Sequence, residues 1–177
     1  MSSNLYDRIV NQRGSFENLV SRIPLLGKHV ESYFDMSAQR DADRIVREHI
    51  ASQLRAQVVR MADAENLILD SGGLRMMSKT RAEKDRLQTL ADRIGTAAPG
   101  YAFTGALKIS HEQLADVFAF DEAMLRYVDQ ITAVVDKFVE AARTNADITG
   151  ILAELRAIVD EAAHAFDLRR DVINGLA

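Results

Sequence analysis

The stretch SHEQLADVFAFDEAMLRYVDQITAVVDKFVEAAR, residues 110–143, decides the fold. Its apolar residues Val117, Phe120, Met124, Val128, Ile131, Val135, Phe138 and Ala142 step by three or four. That spacing puts them on one face of an α-helix. Ser110 followed by Gln113 forms a capping box, in which the hydroxyl takes an orphan amide and the amide side chain reaches back. At 1.5 Å per residue the helix is roughly 50 Å long. A stripe of this length needs partners of similar length, packed as in a coiled coil. Part of it is expected to project beyond shorter neighbours. Downstream, Asp147 reads as an N-cap. Ile148, Leu152, Leu155, Val159, Ala162 and Phe166 then repeat the same spacing. The link Thr144–Asn145–Ala146 is short enough to make the two helices antiparallel neighbours.

Working outward, a helix is predicted over 37–70, with Ala42, Ile45, Ile50, Leu54, Val58, Met61 and Ile68 as its stripe. Asp70–Ser71–Gly72–Gly73 ends it, since glycine adopts the left-handed conformation of a C-cap. The next helix, 74–97, is amphipathic in its second half through Leu87, Leu90, Ala91 and Ile94. A connection containing Pro99, Gly100, Tyr101, Phe103, Leu107 and Ile109 follows, and its apolar side chains are expected to tuck into the bundle. The expected fold is therefore all-α. It is an elongated antiparallel bundle of four long helices near 37–70, 74–97, 110–143 and 147–174. Residues 1–36 form an N-terminal helical segment with a Pro/Gly turn, and residues 37–177 form the bundle domain. In the first segment Leu5, Ile9, Phe16, Leu19, Val20 and Ile23 favour a helix, Gly14 weakens it and Pro24 breaks it.

Composition bounds the chemistry. The chain has 177 residues, 47% of them hydrophobic, with no cysteine, no tryptophan and two prolines. Without cysteine there is no disulfide, thiolate nucleophile, Fe–S cluster or Cys-based zinc site. No apolar run reaches the roughly 20 residues a membrane span needs, and no signal-peptide core follows the N-terminus. A cytoplasmic protein is the default. The net charge of −4 hides a split: residues 1–109 carry +3 and residues 110–177 carry −7. Either the two halves attract each other in cis, or the acidic pair offers a face to a basic partner.

Few side chains suggest catalysis. There is no Gly-x-Ser-x-Gly and no phosphate-binding Gly-x-x-x-x-Gly-Lys-Ser/Thr. Glu161-x-x-His164 is the spacing a di-metal bundle uses, but it stands alone. Glu161 and His164 are therefore the candidate metal ligands in a sequence from which neither metal nor cofactor is expected. Arg75, Lys79, Arg81, Lys84 and Arg86 are interrupted by Glu83 and Asp85 and lack nearby aromatics, so nucleic acid is not an expected partner. Residues 4–28 pair basic Arg8, Arg13, Arg22 and Lys28 with an apolar stripe, which either packs on the bundle or meets a membrane surface. Tyr101, Phe103, Phe118, Phe120, Tyr127 and Phe138 read as core rather than as a ligand box.

Asp92–Arg93–Ile94, Gly100–Tyr101–Ala102, Lys108–Ile109 and Phe120–Asp121 follow one another through residues 87–125. This stretch resembles a group of bacterial helical proteins of unassigned function, with an Asp-Arg-Ile helix, a Gly-Tyr-Ala loop, a Lys-Ile step and a Phe-Asp helix. Residues 21–33, 40–54 and 165–173 are similar to the same group. Where its members carry Ile-Pro-Gly-Tyr, this chain has Leu25–Leu26 after the proline, which leaves that turn open. The resemblance implies an all-helical cytoplasmic protein linked to membrane-stress or band-7-type assemblies, and no activity. Within these residues Asp92, Arg93, Tyr101 and Asp121 are expected to form a polar lock between loop and helices. The functional expectation is a non-enzymatic interaction or scaffold protein that uses helix faces, with self-association or a protein partner. The alternatives are a peripheral membrane accessory and a metal-binding bundle.

Overall fold

The structure is a computed structural model that describes residues 4–29, 36–100 and 109–176. Among the described residues there are helices and turns and no strand. In chain order the helices are α1 (Leu5–Val10), α2 (Phe16–Arg22), α3 (Met36–Asp70), α4 (Met77–Thr96), α5 (His111–Thr144) and α6 (Thr149–Ile173). Short 3-10 turns cover Pro24–His29 and Leu74–Met76. The all-α antiparallel bundle expected from periodicity is present, with α3 to α6 as its four long helices.

The local signals act as chemistry dictates. Ser110 Oγ accepts from the Gln113 backbone N–H at 3.1 Å, and Gln113 Oε1 accepts from the Ser110 N–H at 3.0 Å. Gly72 takes φ of +82° after α3, where a side chain would be strained. The Gly73 N–H then closes on the Ile68 carbonyl at 2.8 Å. At the other hairpin Asn145 takes the left-handed conformation at φ +54°, so the α5–α6 turn needs no glycine. Asp147 Oδ1 accepts from the Thr149 N–H at 3.0 Å, one residue outside the position assigned as N-cap.

The helices form a four-membered ring. α3 packs on α4 and α5, and α6 packs on α5 and α4. α4 and α5 therefore sit across one diagonal, and α3 and α6 across the other. Arg47 near the start of α3 meets the carbonyl of Ile94 near the end of α4, and Asp43 meets Arg169 near the end of α6. One end of the bundle thus gathers the starts of α3 and α5 and the ends of α4 and α6. Two antiparallel hairpins lie side by side, with α3 and α5 parallel where they meet. The end of α4 and the start of α5 thus lie across a diagonal of the same bundle end.

Each residue of the α5 stripe, from Val117 to Ala142, is buried. None of it projects, contrary to expectation. α3 matches α5 in length, and α1 and α2 cover part of the remaining surface of α5. Phe120 and Phe138 are fully enclosed, Tyr127 is largely so, and Phe118 packs against Phe16 at 5.8 Å between ring centres. Among the connecting residues Ile109 rests on the core, while Tyr101, Phe103 and Leu107 lie outside the described residues.

Residues 4–29 are a strap across the bundle. α1 lies on α5 and α6, α2 on α5, and the first 3-10 turn on α3. Ile9, Leu19, Ile23 and Leu26 join the same continuous core as the long helices. Gly14 separates α1 from α2 because α5 passes so close: a Cβ there would stand 2.3 Å from the Ala119 nitrogen and the Phe118 carbonyl carbon. Polar contacts align the strap. Arg8 reaches Glu161 at 3.0 Å and Arg22 reaches Asp129 at 2.8 Å. The Ser15 N–H and the Asn18 amide both donate to Glu122, and the Tyr6 hydroxyl donates to Asp116. Deeper in the chain Arg60 pairs with Asp136, Arg86 with Asp160 and Arg93 with Asp167. The basic first part of the chain and the acidic last two helices satisfy each other in cis.

Candidate functional site

Four charged side chains lie inside the bundle at the end where α3 and α5 begin. Asp43 and Arg47 come from α3, Asp121 from α5 and Arg169 from α6, and none is more than 6% exposed. Arg47 Nε donates to Asp43 Oδ2 at 2.9 Å, and its Nη1 donates to the Ile94 carbonyl at 3.3 Å. Arg169 crosses the diagonal. Its Nε donates to Asp121 Oδ1 at 2.6 Å, and its Nη2 donates to Asp43 Oδ1 at 2.7 Å and to Asp121 Oδ2 at 3.3 Å. Burial alone would lower the Arg169 pKa, but the Asp121 and Asp43 carboxylates reverse this and hold the guanidinium firmly charged. Burial pushes the Asp121 carboxyl above the usual carboxylate range, against the pull of Arg169.

Such a quartet is expensive to desolvate, and apolar side chains of the same volume are often as stabilising. Its geometry therefore matters more than its count of bonds. Above it opens a cavity of about 530 Å³. Arg47, Arg169 and Asp43 reach its inner side, Phe166, Ile173 and Pro99 contribute apolar wall, and Arg93 and Arg170 stand beside them. Gly100 meets α6 so closely that a Cβ would fall 1.9 Å from Ile173 Cγ2.

Of the residues expected to form a polar lock, Asp121 belongs to this quartet and is bound by Arg169. Arg93 lines the cavity but pairs with Asp167 on α6 at 2.7 Å. Asp92 is exposed and accepts from Gln88 at 2.9 Å and Arg55 at 3.2 Å, which hold its carboxyl below the usual range. Tyr101 lies outside the described residues. Asp92 and Arg93 are neighbours in sequence, so they point about 100° apart on a helix and serve different neighbours.

Glu161 accepts from the Tyr127 hydroxyl at 2.8 Å and from Arg8 at 3.0 Å. Burial, with the bond to Glu161, raises the Tyr127 pKa well above its usual value. His164 is exposed. Among the described residues no group of three or more histidine or carboxylate side chains is placed to hold a metal.

Arg169, Asp43 and Arg47 are absent from the sequence-based candidates, yet a signal exists. The stripe Val159, Ala162, Phe166 continues by three to Arg169. Asp43 and Arg47 stand four apart and lead by three into Ile50, and Asp121 is four past Val117. Charged residues in core positions of an apolar repeat mark buried ion pairs before any partner is known.

The fold and site define an all-α bundle protein with a charged core at one end and an N-terminal strap across α5, α6 and α3. No protein-family model, curated protein or solved structure matches the chain.

Proposed function

We propose that the chain is a non-enzymatic helical interaction or scaffold protein of the cytoplasm, and that it joins a second copy of itself through the tip of the α3–α4 hairpin. The observation that carries this reading is a set of leucines left in water at that tip. Leu67 is 39% exposed, Leu69 41% and Leu74 73%. They sit at the end of the bundle opposite the charged quartet. Covering one leucine side chain is worth about 1.5–3 kcal/mol, so a contact that buries several from each copy has a substantial driving force. Among the described residues no helix is long and apolar enough to cross a membrane.

Light scattering after size exclusion tests the reading. The wild-type chain should run heavier than its 19.7 kDa monomer, and Leu69→Glu with Leu74→Glu should return it to the monomer mass. A wild type that stays monomeric at every concentration overturns the proposal. The membrane reading has less support, because it must first lift Ile9, Leu19, Ile23 and Leu26 out of the core. The metal reading must displace Arg8 and Tyr127 from Glu161.

A further inference from the structure

We propose that the cavity beside the buried quartet binds a small organic monocarboxylate with an apolar body. This does not rest on self-association, which concerns the opposite end of the bundle. The volume of about 530 Å³ falls within the roughly 300–1,000 Å³ of small-molecule sites.

The donors select the head group. Arg47 spends Nε on Asp43 and Nη1 on Ile94, and Arg169 spends Nε and Nη2 on Asp121 and Asp43. Among the described residues those bonds leave over the N–H groups of Arg47 Nη2 and Arg169 Nη1. Both side chains are almost fully buried, and both line the cavity. Neither nitrogen is among the sealed-off atoms that lack a partner, so both can donate into the cavity, and a carboxylate offers two acceptor oxygens in one plane.

Charge disfavours a dianion. Four guanidiniums line the cavity: Arg47, Arg93, Arg169 and Arg170. Three carboxylates hold them at 3.3 Å or closer: Asp43, Asp121 and Asp167. Asp171 approaches Arg170 only to 3.9 Å, and both side chains face solvent. One positive charge is thus in excess at close range. The ends of α4 and α6 oppose it with roughly half a negative charge each at most, and Arg47 has already taken up the Ile94 carbonyl. That balance disfavours a dianion such as phosphate. Phe166, Ile173 and Pro99 give the remainder of the ligand an apolar wall.

The test is calorimetric titration of the full chain with hexanoate and phenylacetate, with hexanol and inorganic phosphate as controls, and backbone amide shifts recorded in parallel. Saturable binding of a carboxylate is expected, with shifts at Thr96–Gly100 and Phe166–Asn174. Ala97→Phe fills the cavity without touching the quartet and should weaken binding at least about tenfold, as should Arg47→Lys, which keeps the charge but loses the forked donors. The proposal fails if neither carboxylate binds at roughly 10 mM, leaving the donors to water. It also fails if hexanol or phosphate binds as well as the carboxylates, or if Ala97→Phe leaves affinity unchanged.

Discussion

Replacing Arg169 by methionine removes a side chain that spans the diagonal of the bundle. Methionine fills much of the same unbranched path but carries no donor. Three hydrogen bonds of 2.6, 2.7 and 3.3 Å are lost at once. Asp43 retains Arg47, whereas Asp121 is left buried with no counter-charge bonded to it. Breaking a buried pair from one side costs about 3–5 kcal/mol. For a chain of this size that lowers the melting temperature by about 6–20 °C. Urea unfolding followed by helical circular dichroism at neutral pH reads the loss directly. The pH dependence carries a second signature. Without Arg169 the Asp121 carboxyl is pushed still further above its unfolded value, so the folded state holds the extra proton. Stability then falls as pH rises through the carboxylate range, and the deficit of the variant should shrink under mild acid. The double variant Arg169→Met with Asp121→Leu should recover to within about 1 kcal/mol of wild type, because both members of that pair are then apolar. A single variant that costs less than about 1 kcal/mol, or a double variant no better than the single, would refute the view that these charges are held by one another.

Three other perturbations have clear outcomes. Gly14→Ala forces a Cβ against the α5 backbone, so the strap should lift, with faster hydrogen exchange confined to residues 4–29 and up to about 1.5–3 kcal/mol lost for each of Ile9 and Leu19 that leaves the core; exchange indistinguishable from wild type would mean the strap is not pinned there. Burial first, and Arg22 second, hold the His49 pKa below its usual 6.5, so the unfolded chain binds the proton more readily and stability should fall as pH drops through 6.5. His49→Gln should flatten that slope in denaturant titrations, and an unchanged slope would count against it. Tyr127 holds its proton in the folded state beyond the usual value of 10.0, so stability should fall as pH rises above it, by at most about 1.4 kcal/mol per pH unit. Tyr127→Phe should lose that component, which urea midpoints on either side of pH 10 would reveal.

Helix existence and phase were legible because they are local. The α5 stripe, the Ser110–Gln113 box and the Gly72–Gly73 stop each depend on residues within a turn or two, and each acts as read. What could not be read is which helix stands beside which. A repeat of three and four names the buried face of α4 but does not say whether α5 or α6 adjoins it. The diagonal placement of α4 and α5 follows from how the two hairpins pair. The polar lock shows the same limit. Asp121 stands out in the sequence, but its partner Arg169 is 48 residues away, and Asp43, which shares that guanidinium, is 78 away, so only docking of the hairpins brings them together. Glu161 and His164 have the phase of a ligand pair, yet Glu161 is claimed by Tyr127 and Arg8 from two other helices.

The strap has a consequence for the order in which the protein is made. Its anchors lie far downstream: Arg8 and Glu161 are 153 residues apart, and Tyr6 and Asp116 are 110 apart. A ribosome releases residues 4–29 well before α5 and α6, which receive α1 and α2. Until α5 emerges, α1 and α2 with Ile9 and Leu19 have no groove to enter, while each hairpin can close on its own short link as it emerges. The strap is thus made before its seat, and in that interval it stays open to chaperones and to neighbouring chains.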